Sequence, residues 1–183
     1  VENGLKVLQP LKLKDPQFLA DLKSLNADLF VVVAFRMLPE VVWQMPKKGT
    51  INLHGSLLPH YRGAAPINHV IINGEKETGV TTFFLKQEID TGDVIFADSV
   101  AISDSETAGD LHDKLMVVGA NLLVKTVKAI EADDYNEVPQ LQSEDLKSAP
   151  KIFKEFCKVN WDNTNQSVYN HIRGLSPYPT AFT

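Results

Sequence analysis

The run Ala27-Asp-Leu-Phe-Val-Val-Val-Ala-Phe35 constrains the fold more than any other stretch. It is almost wholly apolar and rich in β-branched residues. A strand with one wet face alternates apolar and polar residues, whereas an unbroken apolar run marks a strand buried on both faces of a parallel sheet. A central parallel strand is therefore expected over 27–35, with Arg36 interrupting it at its end. Parallel strands need long crossovers, usually helical, so the chain should alternate strands with helices.

The remaining pattern agrees. Val7 to Pro10 reads as a short strand closed by proline. Phe18, Leu19, Leu22 and Leu25 have helical spacing within 16–25. Pro39 to Met45 reads as a short helix with Pro39 in its first position. Strands are expected over 51–54, 79–85 and 94–102, and a short helix over 65–72 stopped by Asn73-Gly74. Ser103 and Glu106 match a capping box. A long helix then runs to Ala132, with Leu111, Leu115, Val118, Leu122 and Val127 facing inward. Residues 133–150 are polar and contain proline, as in a linker. Residues 152–161 give no clear pattern, and 167–175 read as a last helix. The expected class is α/β, a parallel or mixed sheet with helices on both faces.

Asn52 and His54 lie two apart on the strand that opens Ile51-Asn-Leu-His-Gly-Ser-Leu-Leu-Pro-His-Tyr-Arg-Gly-Ala-Ala-Pro66. Residues so spaced project from one face. A neutral donor and a titratable ring at the carboxyl end of a strand stand where open α/β sheets build their sites. A second turn, Ile89-Asp-Thr-Gly-Asp93, places Asp90 38 positions after Asn52.

These two motifs resemble the signature of the folate-dependent formyltransferases, particularly the branch acting on methionyl-tRNA. The resemblance extends upstream through 31–39 and downstream through Gly79-Val-Thr-Thr82 and Arg173-Gly-Leu-Ser-Pro-Tyr-Pro179. It implies a Rossmann-like sheet and a catalytic trio of Asn52, His54 and Asp90. It implies that 10-formyltetrahydrofolate, the formyl donor, lies against Arg36, Met37 and Leu38, the loop Ser56, Leu57, Leu58 and Pro59, and the turn Lys86, Gln87, Glu88 and Ile89. Arg62 would face the acceptor. The implied reaction moves a formyl group to the α-amine of methionyl-initiator tRNA. Amino-sugar and glycinamide ribonucleotide transferases share the trio and are the alternative acceptors. A non-catalytic α/β ligand-binding domain is the alternative of a different class, and the intact trio speaks against it.

Formyl transfer is acyl transfer, and its chemistry asks for these residue types. A donor must meet the developing oxyanion, and a group titrating near neutrality must handle protons. An asparagine supplies the first without charge and a histidine the second, while a carboxylate orients the ring. Metal chemistry is not expected, since the other histidines show no ligand spacing.

Composition adds limits. With 44% hydrophobic residues in 183, a full core can form. The single Cys157 excludes an internal disulfide and fits a reducing compartment, so a cytoplasmic location is expected. No apolar run is long enough to suggest a membrane span. Net charge is −5, but residues 146–183 hold five basic groups against two acidic. An acidic catalytic part followed by a basic segment suits a protein that grips phosphates with its later part. The expected organisation is a catalytic domain over 1–132, a linker over 133–150 and the start of a C-terminal region over 151–183. The chain reads as a fragment. By the resemblance it lacks an opening strand-helix-strand unit and a C-terminal β-barrel, and the full-length protein is expected to be a monomer.

Overall fold

The structure, a computed structural model, describes residues 3–34 and 37–183. Among the described residues five α-helices and six strands follow one another: α1 (Pro16–Ser24), β1 (Phe30–Val33), α2 (Glu40–Trp43), β2 (Thr50–His54), β3 (Arg62–Gly63), α3 (Pro66–Ile72), β4 (Glu77–Phe84), β5 (Val94–Ala101), α4 (Ala108–Glu131), β6 (Ser148–Ala149) and α5 (Asn165–Gly174). A 3-10 turn spans Lys154–Cys157. The main sheet has the order β1-β2-β4-β5. β1 and β2 are parallel, whereas β4 runs antiparallel to both β2 and β5. β3 and β6 form a separate parallel pair. The protein is thus α/β with a mixed sheet.

Strand β1 departs from expectation. It covers four residues and lies at the edge of the sheet, paired only with β2 among the described residues. Val31 and Val33 are 42% and 51% exposed, so one face is open rather than both being buried. An unbroken apolar run states which neighbours a strand tolerates, and among the described residues β1 has only β2 beside it. Val7 to Pro10 form no strand. Pro39 caps α2 rather than opening it.

Alternation along β2 separates packing from chemistry. Ile51 is fully buried against the sheet-facing side of α4, with Leu53 beside it. Helix α4 comes this close because residue 119 is glycine: a Cβ there would stand 2.9 Å from Leu53 Cδ2. Leu111, Leu115, Leu122 and Ile130 of α4 are buried, each contributing roughly 1.5–3 kcal/mol. Thr126 joins the same stripe, its hydroxyl 2.9 Å from that of Thr82 and bonded to Leu122 O. On the opposite face of β2, Thr50 donates to the Trp43 carbonyl at 2.6 Å and brings α2 to the strand's start. Asn52 and His54 share that face.

The long helix starts later than Ser103 and Glu106 suggest. The Glu106 carboxylate does accept from Ser103 N–H at 2.9 Å, but the helix begins at Ala108. Thr107 and Asp110 form the reciprocal capping box instead. Glu106 N–H donates to the Ser103 backbone carbonyl at 3.3 Å, not to its hydroxyl, and the other Glu106 carboxylate oxygen pairs with Lys114 at 2.5 Å. Two overlapping capping patterns stand four residues apart, and only the second has its cap side chain bonded to the helix.

Residues 133–150 are docked along the sheet. Val138 exchanges backbone hydrogen bonds with Val94 at 2.8 and 2.9 Å, and Ala149 is fully buried beside Gly63. This course carries the segment past the end of β2. Beyond it, α5 packs on α3, with Arg173 buried and donating to the carbonyls of Glu106 and Ser103.

The position of the cap is testable. Thr107→Ala should lower unfolding stability by about 1 kcal/mol, because it removes the bond to Asp110 N–H. Ser103→Ala should be nearly neutral, since Ser103 participates through its backbone. Urea denaturation of both variants checks this; a larger loss from Ser103→Ala would place the helix start at the earlier box.

Candidate active site

Strand β2 delivers His54 to the sheet's end, and the loop after it returns to hold the ring. Ser56 Oγ donates to His60 O at 2.7 Å. Thr81, across the sheet on β4, donates to Ser56 O at 2.7 Å and accepts from Leu58 N–H at 3.2 Å. Tyr61 then adopts φ 61°, a left-handed conformation uncommon outside glycine. That turn aims its carbonyl at His54, 2.8 Å from Nε2. A carbonyl only accepts, so Nε2 carries hydrogen and Nδ1 is the nitrogen left for proton exchange.

Nδ1 faces Asp90 Oδ2 at 3.7 Å, beyond hydrogen-bond length but within ion-pair range. The two side chains are 7% and 11% exposed. Asp90 also has positive φ, at 54°, and the same Oδ2 accepts from Gly63 N–H at 3.0 Å. Gly63 fits there because its φ is 127° and a Cβ would stand 2.3 Å from the Ala149 carbonyl oxygen. Asn52 is half-buried on the His54 face, with no hydrogen-bond partner for its amide among the described residues. The structure therefore brings His54 and Asp90 together and presents Asn52 from the same strand face.

The other expected positions fare differently. Arg36 lies outside the described residues. Met37 is 75% exposed and Leu38 half-buried. Ser56 is fully buried with its hydroxyl bonded inside the loop, and Leu58 and Pro59 are half-buried. Leu57 packs toward Gly79, where a Cβ would come within 2.6 Å of Leu57 Cδ2. Leu57 also lines a cavity of about 190 Å³ shared with Tyr61, Glu75 and Lys147, which Asn52, His54 and Asp90 do not reach. Lys86, Gln87, Glu88 and Ile89 are exposed on the turn before Asp90, and Lys86 pairs with Asp93 at 2.7 Å. Arg62 is no free surface arginine: it is half-buried and donates twice to Gln140, at 3.0 and 2.6 Å.

Three contributors escaped the sequence reading. Gln140 sits in the polar stretch taken for a linker, and nothing in its neighbourhood distinguishes it. Thr81 looks like any strand threonine. The Tyr61 carbonyl is backbone, which no side-chain pattern reveals. Among the described residues, no group of three or more His, Cys, Asp or Glu could hold a metal ion, and no helix is long and apolar enough to cross a membrane.

Residues 2–127 match the family described as Formyl transferase, and residues 151–183 match the one described as Formyl transferase, C-terminal domain. This protein belongs to the formyl transferase family. The formyltransferase chain is 58% identical to a methionyl-tRNA formyltransferase of Azobacteroides pseudotrichonymphae over 100% of its own length and 58% of that protein's. It is 55% identical to the methionyl-tRNA formyltransferase of Flavobacterium johnsoniae, covering 98% of this chain and 57% of that one. The chain thus spans somewhat over half the length of the curated relatives it matches. Among solved structures, a 4-N formyltransferase from Francisella tularensis superposes with TM-score 0.76 at 23% identity, over 94% of this chain and 70% of that one. It shares the Rossmann-like fold. The Helicobacter canadensis N-formyltransferase, solved with folinic acid and dTDP-3-aminofucose, has TM-score 0.62 and 29% identity over 68% of this chain and 46% of that one.

Behind the candidate site, Tyr61 is anchored at its other end. Its hydroxyl donates to Glu75, which also accepts from Lys147, while Asn73 donates to the Tyr61 oxygen at 3.1 Å. Burial, and then the Glu75 bond, hold the Tyr61 proton well above the ordinary tyrosine range. Burial alone would raise the Glu75 carboxyl, but the bonds from Lys147 and Tyr61 outweigh it and hold Glu75 below its ordinary 4.5. A carboxyl depressed in the folded state stabilises the fold above its unfolded pKa and loses that contribution as pH falls through the folded value. The urea midpoint should therefore fall as pH drops below 4.5 and through the depressed folded value, and Glu75→Gln should flatten that part of the profile. An unchanged slope in Glu75→Gln would show that other carboxylates carry it.

Proposed function

We propose that this chain forms the catalytic part of an enzyme that moves a formyl group from 10-formyltetrahydrofolate to the α-amine of methionyl-initiator tRNA. One observation carries the chemistry: His54 has Nε2 committed to a carbonyl and Nδ1 facing the Asp90 carboxylate. The choice of acceptor rests on the relatives, named methionyl-tRNA formyltransferase and 51–58% identical across nearly the whole chain.

The amine nitrogen attacks the formyl carbon, and the carbonyl oxygen becomes an oxyanion. The Asn52 amide is the donor on the site face suited to meet it, a role worth roughly 3–4 kcal/mol in comparable oxyanion holes. The attacking nitrogen loses a proton and the departing donor nitrogen gains one. His54 exchanges that proton at Nδ1. Its ring cannot rotate away without breaking the Tyr61 bond, and the positive charge it acquires forms beside Asp90. Asp90 keeps its place through Gly63 N–H even while the ring's charge changes.

The folate donor is proposed to lie against Arg36 to Leu38, the loop 56–59 and the turn 86–89. Since the Ser56 hydroxyl and Leu57 side chain are already engaged, that loop would contribute mainly shape and backbone groups. The division into a catalytic part over 1–132, a connecting segment over 133–150 and a C-terminal region from 151 is likewise proposed. The connecting segment contributes Ala149 and Gln140 to the site's frame.

The tRNA contacts can be narrowed. Of the five basic residues over 146–183, Arg173 is buried among carbonyls and Lys147 is paired with Glu75. Lys151, Lys154 and Lys158 remain exposed.

In the intact enzyme, His54→Ala and Asp90→Ala should each lower kcat by about a hundredfold or more without loss of fold. Asn52→Asp should be as damaging as Asn52→Ala, because it sets a negative charge beside the oxyanion. Single-turnover assays with methionyl-tRNA, and in parallel with dTDP-amino sugars, test both chemistry and acceptor. Preference for the sugar would transfer the reading to that branch, and near wild-type kcat in any of these variants would remove the residue from the mechanism. Replacing Lys151, Lys154 and Lys158 together by alanine should weaken tRNA binding and reduce its salt slope by up to about 2–3, at about 0.7–0.9 per phosphate contact. Binding measured at several salt concentrations checks this; an unchanged slope removes these lysines from the interface.

A further inference from the structure

Gln140 lies where the chain has no regular structure, yet its side-chain amide makes four hydrogen bonds. Oε1 accepts from Arg62 Nε at 3.0 Å and Nη2 at 2.6 Å. Nε2 donates to the carbonyls of Asp90 at 2.9 Å and Gly92 at 2.7 Å. Two donors and two lone pairs are all that a primary amide has. Its orientation follows from its partners: a guanidinium only donates and requires the oxygen, while the two carbonyls only accept and require the nitrogen.

We infer that Gln140 is a positioning residue whose single amide fixes the acceptor-side arginine, Arg62, and the catalytic-carboxylate turn, Asp90 to Gly92, relative to one another. The inference rests on the function proposed above. The Arg62-Gly63 pair and the Asp90 turn meet at two points. One is the Gly63 N–H bond to Asp90 Oδ2, and the other is Gln140. Without Gln140 the turn is held to that strand, among the described residues, only by the carboxylate that must also serve His54. Arg62 loses its acceptor and the specific direction of its guanidinium.

No other side chain reproduces both ends. Glutamate would keep, and charge-assist, the bond to Arg62. It would also press a carboxylate oxygen against two carbonyl oxygens, driving the Asp90 turn away. Asparagine is one methylene shorter and cannot span the same gap. Alanine releases both ends. These differences separate the two functions of one residue. Damage through Arg62 appears as acceptor binding, and damage through Asp90 appears as turnover.

The test uses the intact enzyme, 10-formyltetrahydrofolate and methionyl-tRNA. Gln140→Ala should raise the acceptor KM and lower kcat, each by about tenfold, as expected for losing hydrogen bonds to a charged group on one side and to an aligned turn on the other. Gln140→Glu should lower kcat comparably while leaving KM within about twofold of wild type. In an Arg62→Ala background, Gln140→Ala should no longer change KM but should still lower kcat. Both parameters within about twofold of wild type in Gln140→Ala would overturn the inference, as would a KM effect that persists without Arg62. A readout independent of the acceptor is solvent exchange of the Arg62 Nε–H. It should quicken several-fold in Gln140→Ala at matched folded fraction, and unchanged exchange would also overturn the inference. If the wild-type enzyme fails to formylate methionyl-tRNA, the proposed acceptor falls, and the exchange measurement alone still decides the role of Gln140.

Discussion

A backbone carbonyl decides which nitrogen of His54 is left for the proton exchange proposed for it. Because Tyr61 O accepts from Nε2, the imidazole is pinned and Nδ1 is left facing Asp90. Everything around the site serves that bond. Tyr61 must hold a left-handed backbone conformation, so it is anchored at its far end by Glu75 and Asn73 and buried in the core beside Val70 and Ile71. The loop leading to it is tied across the sheet by one threonine hydroxyl, acting as donor and acceptor at once. The His54 ring is thus held from behind by the hydrophobic core, through a tyrosine whose visible role is packing.

Asp90 shows the same economy from the other side. Its positive φ is one that aspartate tolerates better than most residues do. One carboxylate oxygen serves both the Gly63 N–H and the His54 ring. The close approach of β3 to β6 makes this possible, since it needs a glycine at 63 and a small residue at 149. The segment between α4 and β6 therefore belongs to the architecture of the site.

The sequence made the strand-borne part of the site legible because β periodicity is simple. Two residues apart on a short strand means one face, and Asn52 and His54 obey it. Asp90 was legible only through the composite motif, since Asp-Thr-Gly by itself states a turn and no more. What stayed hidden has physical reasons. The Tyr61 carbonyl and Gly63 N–H are backbone groups, identical in every residue. Gln140 acts at long range, 78 positions from Arg62 and 50 from Asp90, in a stretch whose polarity has a simpler explanation. Strand β1 misled because apolar composition records tolerance for burial. The capping boxes misled by overlap: Ser103/Glu106 and Thr107/Asp110 both satisfy the spacing, but only in the second does the cap hydroxyl accept from the backbone N–H three residues on, since Glu106 N–H goes to the Ser103 carbonyl.

The mixed topology explains how the candidate site is braced at this end of β2. A strand in a wholly parallel sheet would end among loops on both sides. Here β4 runs antiparallel alongside, so His54 at the terminus of β2 is opposite Thr81 in the middle of β4. The site loop therefore folds back over a continuing strand, which offers rigid side chains where a parallel neighbour would also be ending. Thr81 is fully buried and fixed by its ladder, and it can hold the loop with little freedom of its own. The loop that carries the signature is thereby given the stiffness of sheet. Two left-handed residues, each costing of order 1–2 kcal/mol in backbone strain, can then persist against the ring they position.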